Sequence, residues 1–383
     1  MSYFRPAPPP ANPLGRYRVL SPLAGVRVSP LVLGGSTIGD QWNKAGFGEM
    51  DKDSSFKLLD AYYDAGGNFI DTANGYQDES SEKFIGEWAQ KRGIRDQLVI
   101  ATKYTMDYKI AAENIKIRVN YAGNNAKSLK ISVEDSLKKL RTSYIDILYI
   151  HGWDYSTSIE EVMDNLHHLA VAGKVLYLGV SNSPAWVVAT ANQYAKDHGK
   201  TPFVIYQGTW NVMERSFERD IIPMARSHGL ALAPFKVLCG GRLRTDAEEA
   251  RRAESGEKGR TIGNTDWMRD ENEKKMSAAL EKVAKEVGTE HITAVAIAYV
   301  MHKTPYVFPI IGGRKVEHLM ANTEALKISL SDEQMKYIES IFAFDPGYPH
   351  ATYGDGTWTS WPMATAAYED RWPIKQPIKP QSN

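Results

Sequence analysis

Short apolar runs rich in Val, Ile and Leu recur along the chain, and between them apolar residues return at helical spacing. The runs read as strands at about Leu31–Gly35, Asn68–Thr72, Leu98–Lys103, Ile145–His151, Val175–Ser181, Val204–Gln207, Ala231–Phe235 and Val307–Ile311. Helices are predicted near Ser54–Ala65, Ser80–Arg92, Ser128–Arg141, Ile159–Ala172, Pro184–His198, Phe217–His228, Met276–Val287 with His291–Met301, and Val316–Leu326. Runs this short and continuously apolar suit strands buried on both faces, as in a parallel sheet covered by crossover helices. Eight strand–helix units in strict alternation predict an α/β fold, a (β/α)8 TIM barrel.

Local signals agree with these boundaries. Gly66-Gly67, Gly173 and Gly229 follow predicted helices, where a left-handed cap is common, and Pro184 stands where a helix begins. Tyr17–Leu20 and Gly25–Val28 read as a hairpin placed to plug the N-terminal mouth of the barrel. Three segments escape the repeat: a polar connection at Tyr108–Lys127, a charged one at Arg242–Asp270, and a tail over 343–383 with Pro, Trp and Tyr but no helical period. Both connections follow strands and so belong on the rim that bears the strand C-termini; long loops in compact domains are commonly functional. Without an internal repeat or a linker, residues 1–383 read as one barrel domain with an extended N-terminal arm over 1–16.

Composition narrows the function. The chain has 383 residues, 43% of them hydrophobic, and its 46 Lys+Arg balance 46 Asp+Glu. A protein that tracks phosphates normally has a basic excess, so nucleic acid is not expected as a partner. Cys239 is the only cysteine, which excludes an internal disulfide framework and a multi-cysteine zinc site. No apolar run approaches a membrane span, and the arm lacks the apolar core of a signal peptide, so no membrane association and a cytoplasmic location are expected.

Four residues at the ends of successive predicted strands carry the chemistry: Asp71 and Tyr76 in Asp71-Thr72-Ala73-Asn74-Gly75-Tyr76, Lys103 in Ala101-Thr102-Lys103-Tyr104, and His151 in Leu148-Tyr149-Ile150-His151. Singly, the acid reads as a cap, the phenol as packing, the amine as a surface charge and the imidazole as a core residue. Jointly they converge on one rim of a barrel. Hydride attack on a carbonyl builds charge on oxygen, and a positioned acid must meet it. A phenol titrates near 10 in isolation; a neighbouring ammonium favours the phenolate, and Asp71 can hold that ammonium. His151 is placed to orient the substrate oxygen, and no step needs a metal.

A hydride source is then required. No Gly-x-Gly-x-x-Gly follows a strand, so a Rossmann site is unsupported. The last strand instead runs into Ile310-Ile311-Gly312-Gly313-Arg314-Lys315 at the start of a helix. Glycines there let backbone approach an anion, and Arg314 can fork onto a phosphate. A plain glycine turn with a solvated Arg-Lys pair is the competing reading.

The chain resembles the aldo-keto reductases over about Val26 to Phe342, and within them the fungal aryl-alcohol dehydrogenases and their norsolorinic acid reductase-like branch. The resemblance rests on Asn68-Phe69-Ile70-Asp71-Thr72-Ala73-Asn74-Gly75-Tyr76-Gln77-Asp78-Glu79, Ile147-Leu148-Tyr149-Ile150-His151-Gly152-Trp153-Asp154, Gly173-Lys174-Val175-Leu176-Tyr177-Leu178-Gly179-Val180-Ser181 and Tyr206-Gln207-Gly208-Thr209-Trp210-Asn211-Val212-Met213. It implies NADPH/NADP+ as cofactor and Asp71, Tyr76, Lys103 and His151 as a catalytic tetrad, with hydride from nicotinamide C4 and the proton from Tyr76. It further implies Ser181, Asn182 and Gln207 on the nicotinamide amide and Phe235 as the platform under the ring. Gly312, Arg314, His318 and Asn322 would lie at the phosphate and adenosine end.

The sequence departs from the family's pattern at Gly34-Gly35-Ser36-Thr37, at Phe235, and at Lys236 and Cys239, all bordering the expected cofactor pocket. Trp42, Tyr104 and Trp153 follow strands one, three and four and are expected to line an aromatic substrate pocket. The expected reaction is reversible reduction of aryl aldehydes or aromatic ketones. A polyketide-type reductase and a regulatory subunit resembling potassium-channel β-subunits are the alternatives.

Overall fold

The structure, a computed structural model, describes residues 6–47, 50–256, 261 and 266–380. A short hairpin, β1 (Arg18–Ser21) and β2 (Ala24–Val28), precedes the barrel. The barrel strands are β3 (Val32–Gly34), β4 (Phe69–Asp71), β5 (Val99–Tyr104), β6 (Ile145–Ile150), β7 (Val175–Ser181), β8 (Phe203–Thr209), β9 (Ala231–Phe235) and β10 (Ile310–Ile311). They lie in the order β10-β3-β4-β5-β6-β7-β8-β9, each ladder parallel, and a parallel bridge between Leu232 and Val307 joins the two ends of the sheet.

Helices run back outside the strands: α1 (Lys52–Asp64), α2 (Ser80–Arg92), α3 (Ala126–Lys139), α4 (Ile159–Val171), α5 (Ala185–Asp197) and α6 (Ile221–His228). After β9 come α7 (Asp246–Ser255), α8 (Glu271–Val287) and α9 (Ile292–Lys303); α10 (Val316–Thr323) and α11 (Asp332–Ile341) follow β10. Polar side chains start several of them: Asp51, Asn125, Ser158 and Thr245 each accept a backbone N–H of the first turn, and Asp270 and Ser331 form full capping boxes. Among the described residues no helix is long and apolar enough to cross a membrane.

Alternation along the strands divides the core in two. Outward residues such as Ile70, Ile100, Leu148 and Val180 pack under the helices. Inward residues Val32, Phe69, Val99, Ala101, Ile147, Tyr149, Val204, Ala231, Ala233 and Phe308 fill the barrel, and Leu20, Ala24 and Val28 of the hairpin join that same cluster. The hairpin therefore stoppers the barrel, as its position in the sequence predicts.

Some expected elements differ. The predicted last strand keeps its pairing at Val307 but its ladder only at Ile310–Ile311, because Pro309 has no N–H to give. Phe217–His228 splits into a 3-10 turn at Ser216–Glu218 and α6, which starts close before Pro223, where a missing donor is tolerated. Pro184 caps α5 rather than opening it. The connection Arg242–Asp270 contains the ten-residue α7; its residues 257–260 and 262–265 lie outside the described residues, as do 1–5 of the arm and 381–383 of the tail. The arm is extended only in part: Asn12 caps a 3-10 turn at Pro13–Gly15, which sinks Leu14 into the core. The tail forms single turns at His350–Tyr353 and Trp361–Ala364.

Candidate active site

Strand pairing places Asp71 opposite Ala101, and the inward face of β5 then presents Lys103 one step further along. Lys103 is fully buried, and its Nζ donates to Asp71 Oδ2 at 2.6 Å, to the Thr72 carbonyl at 2.7 Å and to Tyr76 Oη at 3.4 Å. Burial works against its ammonium, but the Asp71 carboxylate, together with the interaction with Tyr76, outweighs burial and holds it above the ordinary lysine value. Asp71 spends its other oxygen on Gln207 Nε2 at 2.8 Å. His151 follows β6, and its ring meets the Tyr76 ring edge-on at 5.7 Å. Its Nδ1 is buried without a partner among the described residues. Burial, and then the charge of Lys103, push its pKa down to about 3, so the imidazole is neutral at ordinary pH.

Tyr149, inward on β6 two residues before His151, forms the floor, with Lys103 Nζ 5.7 Å from its ring centroid. Gly179 on β7 makes room for it, since a Cβ there would lie 2.5 Å from the ring. Period-two alternation through Ile147, Tyr149 and His151 is the sequence signal that could have identified this residue.

Tyr76 stands at the head of a turn that sequence reasoning missed. Gln77, Asp78 and Glu79 all adopt left-handed backbone, with φ of 54°, 48° and 77°. Each such residue costs about 1–2 kcal/mol, and each is tied down. Gln77 Oε1 accepts from the backbone N–H of Gln41 and Trp42, and its Nε2 donates to the Ser36 carbonyl. Asp78 Oδ1 accepts from Trp42 Nε1 at 2.9 Å. Glu79 is paired with Lys109 at 2.7 Å and with Lys139 at 3.2 Å. Lys139 also pairs with the fully buried Glu82 at 2.8 Å and donates to the Asn74 carbonyl, bracing the loop that carries Tyr76.

The expected cofactor residues form an arc over the neighbouring strand ends. Ser181 pairs with Gln207 across β7 and β8, and Phe235 ends β9 opposite Thr209. Asn182 has φ of 46°, and its Nδ2 donates to Ser181 Oγ and to the His151 carbonyl, which ties the arc to the tetrad. Beyond β10, Thr37 Oγ1 donates to the Gly313 carbonyl. A Cβ on Gly312 would meet nothing within 4 Å, and α10 begins with no side-chain cap from Lys315. That open cradle at a helix start, beside the exposed Arg314, fits a phosphate group. His318 is exposed and Asn322 buried, one turn apart on α10.

Of the three expected pocket aromatics, Trp42 lies beside Tyr76, with rings 6.1 Å apart and nearly perpendicular. Trp153 is half-buried and leans on the outer core. Tyr104 is a correction: it is fully buried and donates to the Asn124 carbonyl at 3.3 Å. Because Lys103 points into the barrel, the next residue of the strand must point outward, under the helices. Cys239, beside the expected platform, is half-buried, and burial pushes its thiol up to about 12.

The model of the aldo/keto reductase family matches residues 30–343. The chain is 59% identical over 384 residues to an NADP(+) aryl-alcohol dehydrogenase of Phanerodontia chrysosporium, covering 100% of both chains. It is 58% identical over 354 residues to a putative aryl-alcohol dehydrogenase of Saccharomyces cerevisiae, covering 92% of this chain and 93% of that one. It is 53% identical over 346 residues to a norsolorinic acid reductase of Emericella nidulans, covering 90% and 86%. A barrel of parallel strands with a buried Asp–Lys pair beneath a rim tyrosine, matched along most of its length by these relatives, belongs to the aldo/keto reductase family.

Proposed function

We propose that this chain is an NADP(H)-dependent oxidoreductase that reduces aryl aldehydes or aromatic ketones and runs in reverse on the alcohols. The observation that carries the reading is Lys103, fully buried yet held charged by Asp71 within reach of the Tyr76 hydroxyl. NADPH, when bound, supplies the hydride that adds to the carbonyl carbon. Tyr76 gives its proton to the carbonyl oxygen as charge builds there, and the Lys103 ammonium stabilises the phenolate left behind. Asp71 keeps Lys103 charged and aimed, and Gln207 keeps Asp71 from turning. Neutral His151 is enclosed at Nδ1, leaving Nε2 to hold the substrate oxygen. Ser181, Asn182 and Gln207 would take the nicotinamide amide and Phe235 its ring. Gly312, Arg314, His318 and Asn322 would take the phosphate and adenosine end.

The aryl preference is supported by Trp42 beside Tyr76 and by the names of the relatives. The norsolorinic acid reductase relatives favour a second reading, a larger polycyclic ketone from a polyketide-type metabolite. A panel of benzaldehydes, short aliphatic aldehydes and polycyclic ketones, followed by NADPH absorbance, separates the two. A cytoplasmic setting accords with the lone cysteine. The acid assignment is tested by Tyr76→Phe, which keeps the ring and removes the proton. Turnover is expected to fall by at least about 100-fold with NADPH affinity nearly unchanged. Retention of most of the wild-type rate would remove Tyr76 from the role.

A further inference from the structure

One buried amide outside the expected tetrad, that of Gln77, ties the turn that carries Tyr76 to the loop that carries Trp42. Gln77 directly follows Tyr76, is 1% exposed, and holds a left-handed backbone at φ 54°. Its amide makes three bonds into the loop after β3: it accepts from Trp42 N at 2.8 Å and Gln41 N at 3.1 Å and donates to Ser36 O at 2.9 Å. The loop is shaped to receive it. Gly39 has φ of 135°, and a Cβ there would stand 2.5 Å from Gln77 Cβ and 2.6 Å from Cγ.

Both ends of this arrangement matter. A left-handed residue next to Tyr76 fixes the direction in which the tyrosine leaves the turn, and L-residues abandon such backbone unless tertiary contacts hold them there. The same amide fixes the backbone of Trp42, while Asp78, the next residue of the turn, holds its indole at Nε1, and the ring lies edge-on to Tyr76 at 6.1 Å. We propose that Gln77 is a positioning residue that locks the Tyr76 hydroxyl and the Trp42 indole into one unit, so that an aromatic substrate is seated at the distance proton transfer requires. This rests on Tyr76 as the acid and Trp42 as a substrate wall.

The test compares Gln77→Met, Gln77→Glu and Gln77→Gly with the wild type and Tyr76→Phe in the full chain. Steady-state kinetics on a benzaldehyde and on a short aliphatic aldehyde, and NADPH binding, are measured for each. Met keeps the length and removes every bond. It should lower kcat on both substrates about tenfold and raise KM for the benzaldehyde alone, with NADPH affinity within about twofold. Glu keeps the acceptor for Gln41 and Trp42 but turns an oxygen toward the Ser36 carbonyl, so its benzaldehyde KM should rise less than that of Met or Gly. Gly accepts left-handed backbone without cost but lacks the amide, so it should behave like Met.

Wild-type constants for Gln77→Met would overturn the proposal, as would a loss confined to thermal stability. A Gly variant matching the wild type would also overturn it, because backbone alone would then set the site. Should Met fail to fold, a benzaldehyde KM that rises as much for Glu as for Gly would overturn the clamp, and a smaller rise for Glu than for Gly would uphold it. Tyr76→Phe keeps the two ideas apart: if it retains turnover, the acid assignment falls. If it is inactive while the Gln77 variants match the wild type, only this inference falls.

Discussion

His151 combines a buried, unpartnered Nδ1 with a pKa pushed down to about 3 by burial and by Lys103. The folded value lies below the ordinary 6.5, so as pH falls the unfolded chain takes the proton first. Its contribution is therefore intact above pH 6.5 and drains as pH falls toward about 3, by at most about 1.4 kcal/mol per pH unit. His302, lowered to about 4 by burial and then by Lys379 and Arg18, acts with the same sign. Thermal unfolding between pH 4.5 and 7 should therefore show a shallower acid slope, not a flat one, in His151→Phe. An unchanged slope would mean that His151 is not held neutral. Tyr76 was legible only by its place in the turn after β4, whereas Asp71, Lys103 and His151 were legible because each closes or directly follows an apolar strand whose alternation fixes its face. The same rule, applied one residue on, assigns Tyr104 to the outer layer. The left-handed run Gln77–Glu79 carried no such signal, since none of the three is a glycine and what holds them lies on α3 and the loops after β3 and β5.

Elements act here through their junctions. Where β10 passes into α10, Gly312 leaves open space and Arg314 stands exposed at the helix start. If Arg314 holds the phosphate that distinguishes NADPH from NADH, Arg314→Ala should weaken NADPH selectively. A charge-assisted contact of about 1.5–3 kcal/mol corresponds to roughly ten- to a hundredfold. Fluorescence titration with both cofactors checks this, and equal losses would assign Arg314 to structure. The strands and principal helices were legible from period and caps. Helix α7 was not, because Asp246–Ser255 carries no apolar side chain larger than alanine. It is pinned by Glu249, which both Arg244 and Arg269 grip from outside the helix. Such long-range pairing leaves no trace in local periodicity.

At the scale of the whole molecule the barrel is a cup with its base stopped by the hairpin. Leu20 is wholly buried among Val32, Phe69 and Phe308, at the opposite mouth from Tyr76. Leu20→Ala should cost about 2–5 kcal/mol of stability, the usual range for a buried leucine. It should lower Tm while leaving kcat and KM unchanged at temperatures where the protein is folded; altered kinetics would reveal coupling between the two mouths. The order of the strands has a consequence for synthesis. β3 is made early, but its partner β10 and the Gly312–Arg314 turn emerge only after more than three quarters of the chain, and Phe308 reaches the hairpin no sooner. The emerging polypeptide must therefore carry a plug without its socket, and apolar strand edges without partners, until almost the last segment appears. The site that would grip the nucleotide is finished by the same stroke that joins the ring, so nucleotide capture on the ribosome would mark the moment at which the chain is topologically complete.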